Sequence, residues 1–277
     1  MLNYLIYAII LNTLDKLISK QGLKHISDKH FVFFYQVVSV VIIYGYILSA
    51  KISFYTPNLF ISLILLVSIL CWALFSILYF KALSLIDLST YTVLSRLTLV
   101  WSSVIGIIFF KEKLHSFHLI GIVLIMSANL LYIHKAKFNK GIIYIIGSTL
   151  CLSCALALDK YLTNFINPII IVFFGFLGTS IICSSRVKLK EIFPLNFKYL
   201  YAVLASLTGT LGYICLLISL SLGDISKILP MFQGSTILYT LLGFLVFKEF
   251  KEWKLKLASG IIAIIGVVII GGYHDTY

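Results

Sequence analysis

Long runs of apolar residues, separated by short polar connections, fill this chain from end to end. A helix that crosses the hydrocarbon core of a bilayer needs about 20 such residues. The pattern therefore predicts an all-α integral membrane protein with ten transmembrane helices. The ten predicted spans cover residues 2–19, 31–49, 58–80, 89–110, 115–134, 141–162, 168–185, 198–221, 226–247 and 254–273.

The second half of the chain repeats the first. Segment 83–112 shares nine identical residues in thirty with segment 220–249, and these include Asp, Ser, Lys and Glu in register. A second similarity joins Leu14-Asp15-Lys16, near the end of span 1, to Leu158-Asp159-Lys160, near the end of span 6. Apolar composition alone does not explain matches at charged positions, so we interpret the chain as two homologous halves.

Residues 1–137 and 138–277 are the two predicted repeats, and together they form one compact membrane domain. Each repeat contains five spans. Because five is an odd number, the second repeat must enter the membrane from the opposite side. Inverted repeats of this kind are typical of transporters that alternate between two states around a central site.

The composition agrees with a lipid environment: 61% of residues are hydrophobic, 12% are charged, and the mean hydropathy is +1.06. The net charge of +12 comes from short clusters between the spans, which excludes a nucleic-acid interface and indicates contact with anionic membrane lipid. Lys and Arg concentrate at the odd-numbered connections. The positive-inside rule then predicts that these connections are cytoplasmic and that both termini lie outside. We expect the protein to reside in the inner cell membrane.

Two segments, 82–133 and 219–272, resemble the EamA-type repeats of the drug/metabolite transporter superfamily. The shared marks are a helix that ends in Glu, a basic turn, and a Gly that opens the last helix, here Glu112 with Gly121 and Glu249 with Gly260. The resemblance implies a ten-helix secondary transporter that moves a small organic solute without ATP. This chain has Gln36 where such proteins often carry an Arg in the second span.

Arg96 is the strongest candidate for a binding residue because it lies near the middle of span 4. A central Arg costs about 2.5–3.5 kcal/mol on insertion scales, so it should face a cavity or a partner. Helical spacing puts Thr92 on the same face, and the repeat places Gln233 at the matching position of span 9. We predict that these three residues bind the substrate and that Arg96 attracts an anionic group, as in an amino-acid-like solute. The alternative is that Arg96 is a structural strut.

Three aromatic residues complete the predicted binding site. Trp72 and Tyr79 lie on span 3, and Tyr213 lies on span 8. Aromatic side chains that line a cavity suit an organic solute, through stacking or cation–π contacts. Packing against lipid or neighbouring helices is the alternative for each of them.

Asp15 and Asp159 are the two carboxylates well inside predicted spans. One interpretation is that each forms, with the Lys that follows it, a pair that extends to the membrane interface and fixes the depth of the helix. The other is that they couple transport to a proton or sodium ion.

No motif of an enzyme occurs in the sequence, and we expect neither a cofactor nor a metal site. The five cysteines all lie within predicted spans, where small packing residues are expected. The predicted partners are the solute, membrane lipid, a coupling proton or sodium ion, and a second copy of the chain in a homodimer. The alternative to a transporter is a membrane-embedded protein that senses a ligand without moving it.

Overall fold

The computed structural model describes residues 2–54, 58–110, 116–135, 140–188, 197–223 and 253–272, with scattered positions between 228 and 248. Within these residues the secondary structure is helical, and no strand occurs. The helices are α1 (Leu2–Gly22), α2 (Asp28–Ser49), α3 (Leu59–Leu85), α4 (Leu88–Ser95), α5 (Leu97–Phe110), α6 (Ser116–Lys135), α7 (Lys140–Leu162), α8 (Pro168–Ser184), α9 (Leu200–Ser221) and α10 (Trp253–Gly272).

Two of the helix starts were predicted from the sequence and follow from capping. The Asn58 side chain accepts a hydrogen bond from the Ile61 N–H, at 2.9 Å, where α3 begins. The Asn167 side chain accepts one from the Ile169 N–H, at 3.0 Å, and Pro168 is the first residue of α8. Both arrangements satisfy N–H groups that have no partner inside the helix.

Span 4 differs from its prediction as one continuous helix over 89–110. It consists of α4 and α5, which are separated at Arg96, where the Leu99 N–H donates to the Arg96 carbonyl in a tighter turn. Ser153 of α7 donates to the Thr98 carbonyl at 3.0 Å. This tertiary hydrogen bond gives a backbone oxygen beside the break a polar partner inside the protein.

The outer surface of the helices is apolar. Large hydrophobic side chains such as Val41, Leu59, Phe60 and Phe109 are well exposed, which water would penalise and lipid would not. Four helices are long and apolar enough, among the described residues, to cross a membrane: α2, α3, α7, and α9 together with the turn before it. Helix α8 is apolar but shorter. The protein is therefore an integral multi-pass membrane protein.

Helices pack in pairs that relate the two repeats. The first helix of each repeat lies against the third helix of the other, so α1 packs on α9 and α7 packs on α3. The second helices, α2 and α8, also pack together, as do the last helices, α6 and α10. Each helix that the structure describes in full therefore makes its main contact across the two halves, which form one body.

Glycines allow two of these pairs to approach closely. A Cβ on Gly212 of α9 would lie 3.2 Å from the Leu11 Cβ of α1. A Cβ on Gly266 of α10 would lie 2.7 Å from the Gly121 carbonyl oxygen of α6, closer than real Cβ atoms come to other atoms. Small residues at such crossings are typical of helix packing in membranes.

The ends of α1 and α7 show which positions of the two repeats are equivalent. At the end of α1 the Leu23 N–H donates to the Ser19 carbonyl. In the corresponding turn at the end of α7, the Thr163 N–H donates to the Asp159 carbonyl. This offset of 140 residues makes Asp159 the counterpart of Ser19. Asp15 lies one helical turn earlier, so the sequence similarity between 14–16 and 158–160 does not mark equivalent positions.

Candidate functional site

A cavity of about 120 Å³ lies between the α1–α9 pair and the α3–α7 pair. Helices α2, α4, α5 and α8 also contribute to its wall, as do Leu229 and Phe232. Aromatic rings form much of its surface, and the charged side chains that line it are Asp15, Lys16 and Asp159.

Asp159 is held by three donors from two helices. Its carboxylate accepts hydrogen bonds from the Ser68 hydroxyl at 2.5 Å, from the Trp72 indole N–H at 2.7 Å, and from the Tyr213 hydroxyl. The side chain is 1% exposed. Each of these hydrogen bonds favours the charged carboxylate and offsets part of the cost of its burial.

Asp15 lies in a second cluster, on α1. It is 4% exposed, and its Oδ1 accepts a hydrogen bond from the Ser19 hydroxyl at 3.1 Å. The Tyr35 hydroxyl also hydrogen-bonds to this carboxylate. Gly209 of α9 packs directly against both groups, since a Cβ there would lie 2.9 Å from Tyr35 Cζ and 3.1 Å from Asp15 Cγ.

Lys16 points into the cavity. Its Nζ lies 3.3 Å from the Tyr79 hydroxyl oxygen and 4.4 Å from the centroid of the Tyr79 ring. The same Lys16 Nζ lies 5.7 Å from the centroid of the Tyr91 ring. This position contradicts the interpretation of Asp15 and Lys16 as a pair directed to the membrane interface.

Polar groups on α2 and α8 face the same cavity. Gln36 Nε2 donates to the Ser76 hydroxyl at 3.1 Å, while Gln36 Oε1 and the Thr179 hydroxyl are buried with no hydrogen-bond partner among the described residues. Such unsatisfied groups are costly in a closed apolar environment. A solute that enters the cavity would therefore find unused hydrogen-bonding capacity.

The structure brings together five of the predicted site residues. Trp72, Tyr79, Tyr213, Asp15 and Asp159 all line the cavity, and the Trp72 and Tyr213 rings meet edge-on with centroids 4.7 Å apart.

Of the other three predicted site residues, the structure describes the side chain of Arg96. Arg96 is 1% exposed at the turn between α4 and α5 and is not among the lining residues, although its neighbours Ser95 and Thr98 are. The Thr92 side chain and Gln233 lie outside the described residues.

Sequence reasoning missed Lys16 as a cavity residue. The signal was present, because Lys16 follows Asn12 by four residues, and this spacing places both on one helix face. Asn12 also lines the cavity.

All five cysteines are free thiols. Within the part of the chain that the structure describes, no three His, Cys, Asp or Glu side chains lie close enough together to hold a metal ion.

Comparison with known proteins agrees with this architecture. The model of the EamA-like transporter family matches twice, at residues 3–133 and 139–272. A solved crystal structure is similar with a TM-score of 0.70 over 96% of this chain and 94% of that chain, at 14% sequence identity. That similarity concerns the fold. No curated protein sequence matches this chain.

Proposed function

Since the chain belongs to the EamA-like transporter family, we propose that it is a secondary transporter that moves a small organic solute by alternating access. The observation that carries the proposal is the charged and aromatic cavity between two pairs of helices. Each pair combines a helix of one repeat with a helix of the other. Relative movement of the pairs would open the cavity to one side of the membrane at a time.

The size of the cavity limits the solute. An engineered cavity of about 150 Å³ holds benzene, whereas pockets for drug-sized ligands measure about 300–1,000 Å³. A volume of about 120 Å³ therefore suits a solute of roughly the size of a single six-membered ring. A nucleotide would not fit in a cavity of this volume.

The charge that attracts the solute is proposed to be Lys16. Its ammonium group donates to the Tyr79 hydroxyl at 3.3 Å and interacts electrostatically with the neighbouring Asp15 carboxylate, and an ammonium carries three donors. A carboxylate or phosphate on the solute would satisfy the remaining donors. The rings of Tyr79, Tyr91 and Trp72 would contact its apolar part, and Gln36 and Thr179 would pair with its polar groups.

Asp15 is the better placed of the two carboxylates to couple transport to a proton. Its partners, the Ser19 and Tyr35 hydroxyls, can either donate or accept, so both can adapt when the carboxyl group gains a proton. Asp159 receives a bond from the Trp72 N–H, which can only donate. We therefore expect Asp15→Asn to abolish acceleration of uptake by a proton gradient while exchange without a gradient continues.

Counterflow in proteoliposomes tests the proposal, because a carrier exchanges labelled for unlabelled solute and a sensor does not. A thermal-shift screen of small carboxylates and phosphates against the purified protein supplies the substrate, since a ligand stabilises the state it binds. Absence of counterflow with a ligand that stabilises the protein would favour the sensor.

Lys16→Met removes the charge and keeps the length of the side chain. We expect it to raise the KM for counterflow about tenfold or more, the order of one lost charged hydrogen bond. Arg96→Gln should leave the KM near wild type, because Arg96 is outside the cavity lining. Lys29→Met, at an exposed position of α2, is the matched control. The reverse pattern, with KM raised only in Arg96→Gln, would return the binding role to Arg96.

A further inference from the structure

Two lysines near the ends of α1 and α7 make the same unusual contact. Lys20 Nζ donates to the Leu83 carbonyl at 2.8 Å and also to the Ile86 carbonyl, at the C-terminal end of α3. Lys160 Nζ donates to the Leu220 carbonyl at 2.5 Å and to the Gly223 carbonyl at 2.6 Å, at the C-terminal end of α9. Each lysine thus binds two backbone oxygens.

These contacts are equivalent in the two repeats. Lys20 and Lys160 are 140 residues apart, which is also the offset between the turns that end α1 and α7. Their carbonyl partners correspond as well, because Leu220 follows Leu83, and Gly223 follows Ile86, by 137 residues, the offset between segments 83–112 and 220–249. The duplication is not visible at the level of sequence similarity, which aligned Lys160 with Lys16. It indicates a common role for Lys20 and Lys160.

Both lysines cross the boundary between the two helix pairs that enclose the cavity. Lys20 belongs to the α1–α9 pair and binds the end of α3, whereas Lys160 belongs to the α3–α7 pair and binds the end of α9. The first and sixth spans of a ten-span chain end at opposite faces of the membrane. One lysine therefore joins the pairs at one end of the cavity, and the other joins them at the other end.

The chemistry of the contact suits a bond that forms and breaks. The last carbonyls of a helix lack partners within the helix and carry the negative end of its dipole, so a cation binds there favourably. Water can take the place of the ammonium group at these carbonyl oxygens when the lysine withdraws.

We propose that Lys20 and Lys160 are the two gate latches of the transporter, each of which holds one end of the cavity closed. This inference rests on the proposed function. With both latches formed, as here, the two helix pairs are joined at both ends. Release of Lys20 from α3 opens one end, and release of Lys160 from α9 opens the other.

Labelling of a cysteine in the cavity wall tests this assignment. The reporter is Ser76→Cys, in a background where the five native cysteines are replaced by alanine, and the probe is a membrane-impermeant maleimide added to either face of oriented vesicles. Lys20→Met and Lys160→Met are each compared with the parent, with the exposed Lys29→Met as control.

We expect each latch variant to increase labelling about fivefold from one face and to decrease it from the other, with opposite faces for the two variants. Loss of one or two hydrogen bonds shifts a two-state equilibrium by that order. Lys20→Arg and Lys160→Arg should restore the parent's labelling, because a guanidinium also donates to both carbonyls.

Equal increases from both faces in either variant, or an increase from the same face in both, would overturn the latch assignment and indicate a purely structural role. Unchanged labelling in both variants would overturn it as well. Monodisperse elution of each variant shows that it is folded. Counterflow by the parent protein tests the transport function separately, so failure of one proposal is distinguished from failure of the other.

Discussion

Gly209 is the position where the structure predicts the largest effect from the smallest change. In Gly209→Ala the added methyl group would overlap the Tyr35 hydroxyl and lie 3.1 Å from Asp15 Cγ. Tyr35 must then move and lose its hydrogen bond to Asp15. Overpacking of a well-filled core costs about 1–3 kcal/mol, and a hydrogen bond to a charged group contributes about 1.5–3 kcal/mol.

An opposing term comes from the helix itself. Alanine favours a helix over glycine by up to about 1 kcal/mol, which offsets part of the cost. The net loss in free energy of unfolding for Gly209→Ala is therefore about 1.5–5 kcal/mol. Gly45→Ala is the matched control, because a Cβ at Gly45 of α2 would meet nothing within 4 Å. It should leave the stability unchanged or raise it.

The assay is unfolding of purified protein in detergent, monitored by the loss of helical circular dichroism. A double-mutant cycle with Tyr35→Phe isolates the cause, because phenylalanine lacks the oxygen that the new methyl group overlaps. The combined variant should lose clearly less stability than the sum of the two single changes. Additive losses, or a Gly209→Ala protein as stable as Gly45→Ala, would refute the close packing of α9 against Tyr35 and Asp15.

Two further predictions concern packing and polar contacts elsewhere. Tyr213→Phe removes one of the three donors to Asp159 and keeps the ring beside Trp72. We therefore expect the free energy of unfolding to fall by about 1.5–3 kcal/mol. An unchanged unfolding midpoint would contradict the hydrogen bond. Gly266→Ala should separate α10 from α6 and lower the unfolding midpoint. Gly260→Ala is the control and should leave the midpoint unchanged, because a Cβ at Gly260 would meet nothing within 4 Å. Equal midpoints for the two variants would contradict the close crossing.

The sequence by itself determined the membrane character, the all-helical class and the two-repeat organisation of this protein. Each of these depends on local composition or on similarity along the chain, because a helix in lipid must satisfy its own backbone and must carry an apolar surface. The starts of α3 and α8 were equally local, since Asn58 and Asn167 cap the residues that directly follow them. The aromatic residues Trp72, Tyr79 and Tyr213 were found because helical spacing puts each on a definite face.

The tertiary structure decided which of those faces meet. Lys16 and Arg96 are both cations within predicted spans, and only the packing of α1 on α9 and of α7 on α3 places the first in the cavity wall and the second outside it. The break at Arg96 is accompanied by a hydrogen bond from Ser153, which is 57 residues away in the chain. The contacts of Lys20 and Lys160 with backbone carbonyls cannot be recognised from the order of side chains along the sequence. Contacts between distant segments depend on how whole helices fit together, and no local periodicity records that fit.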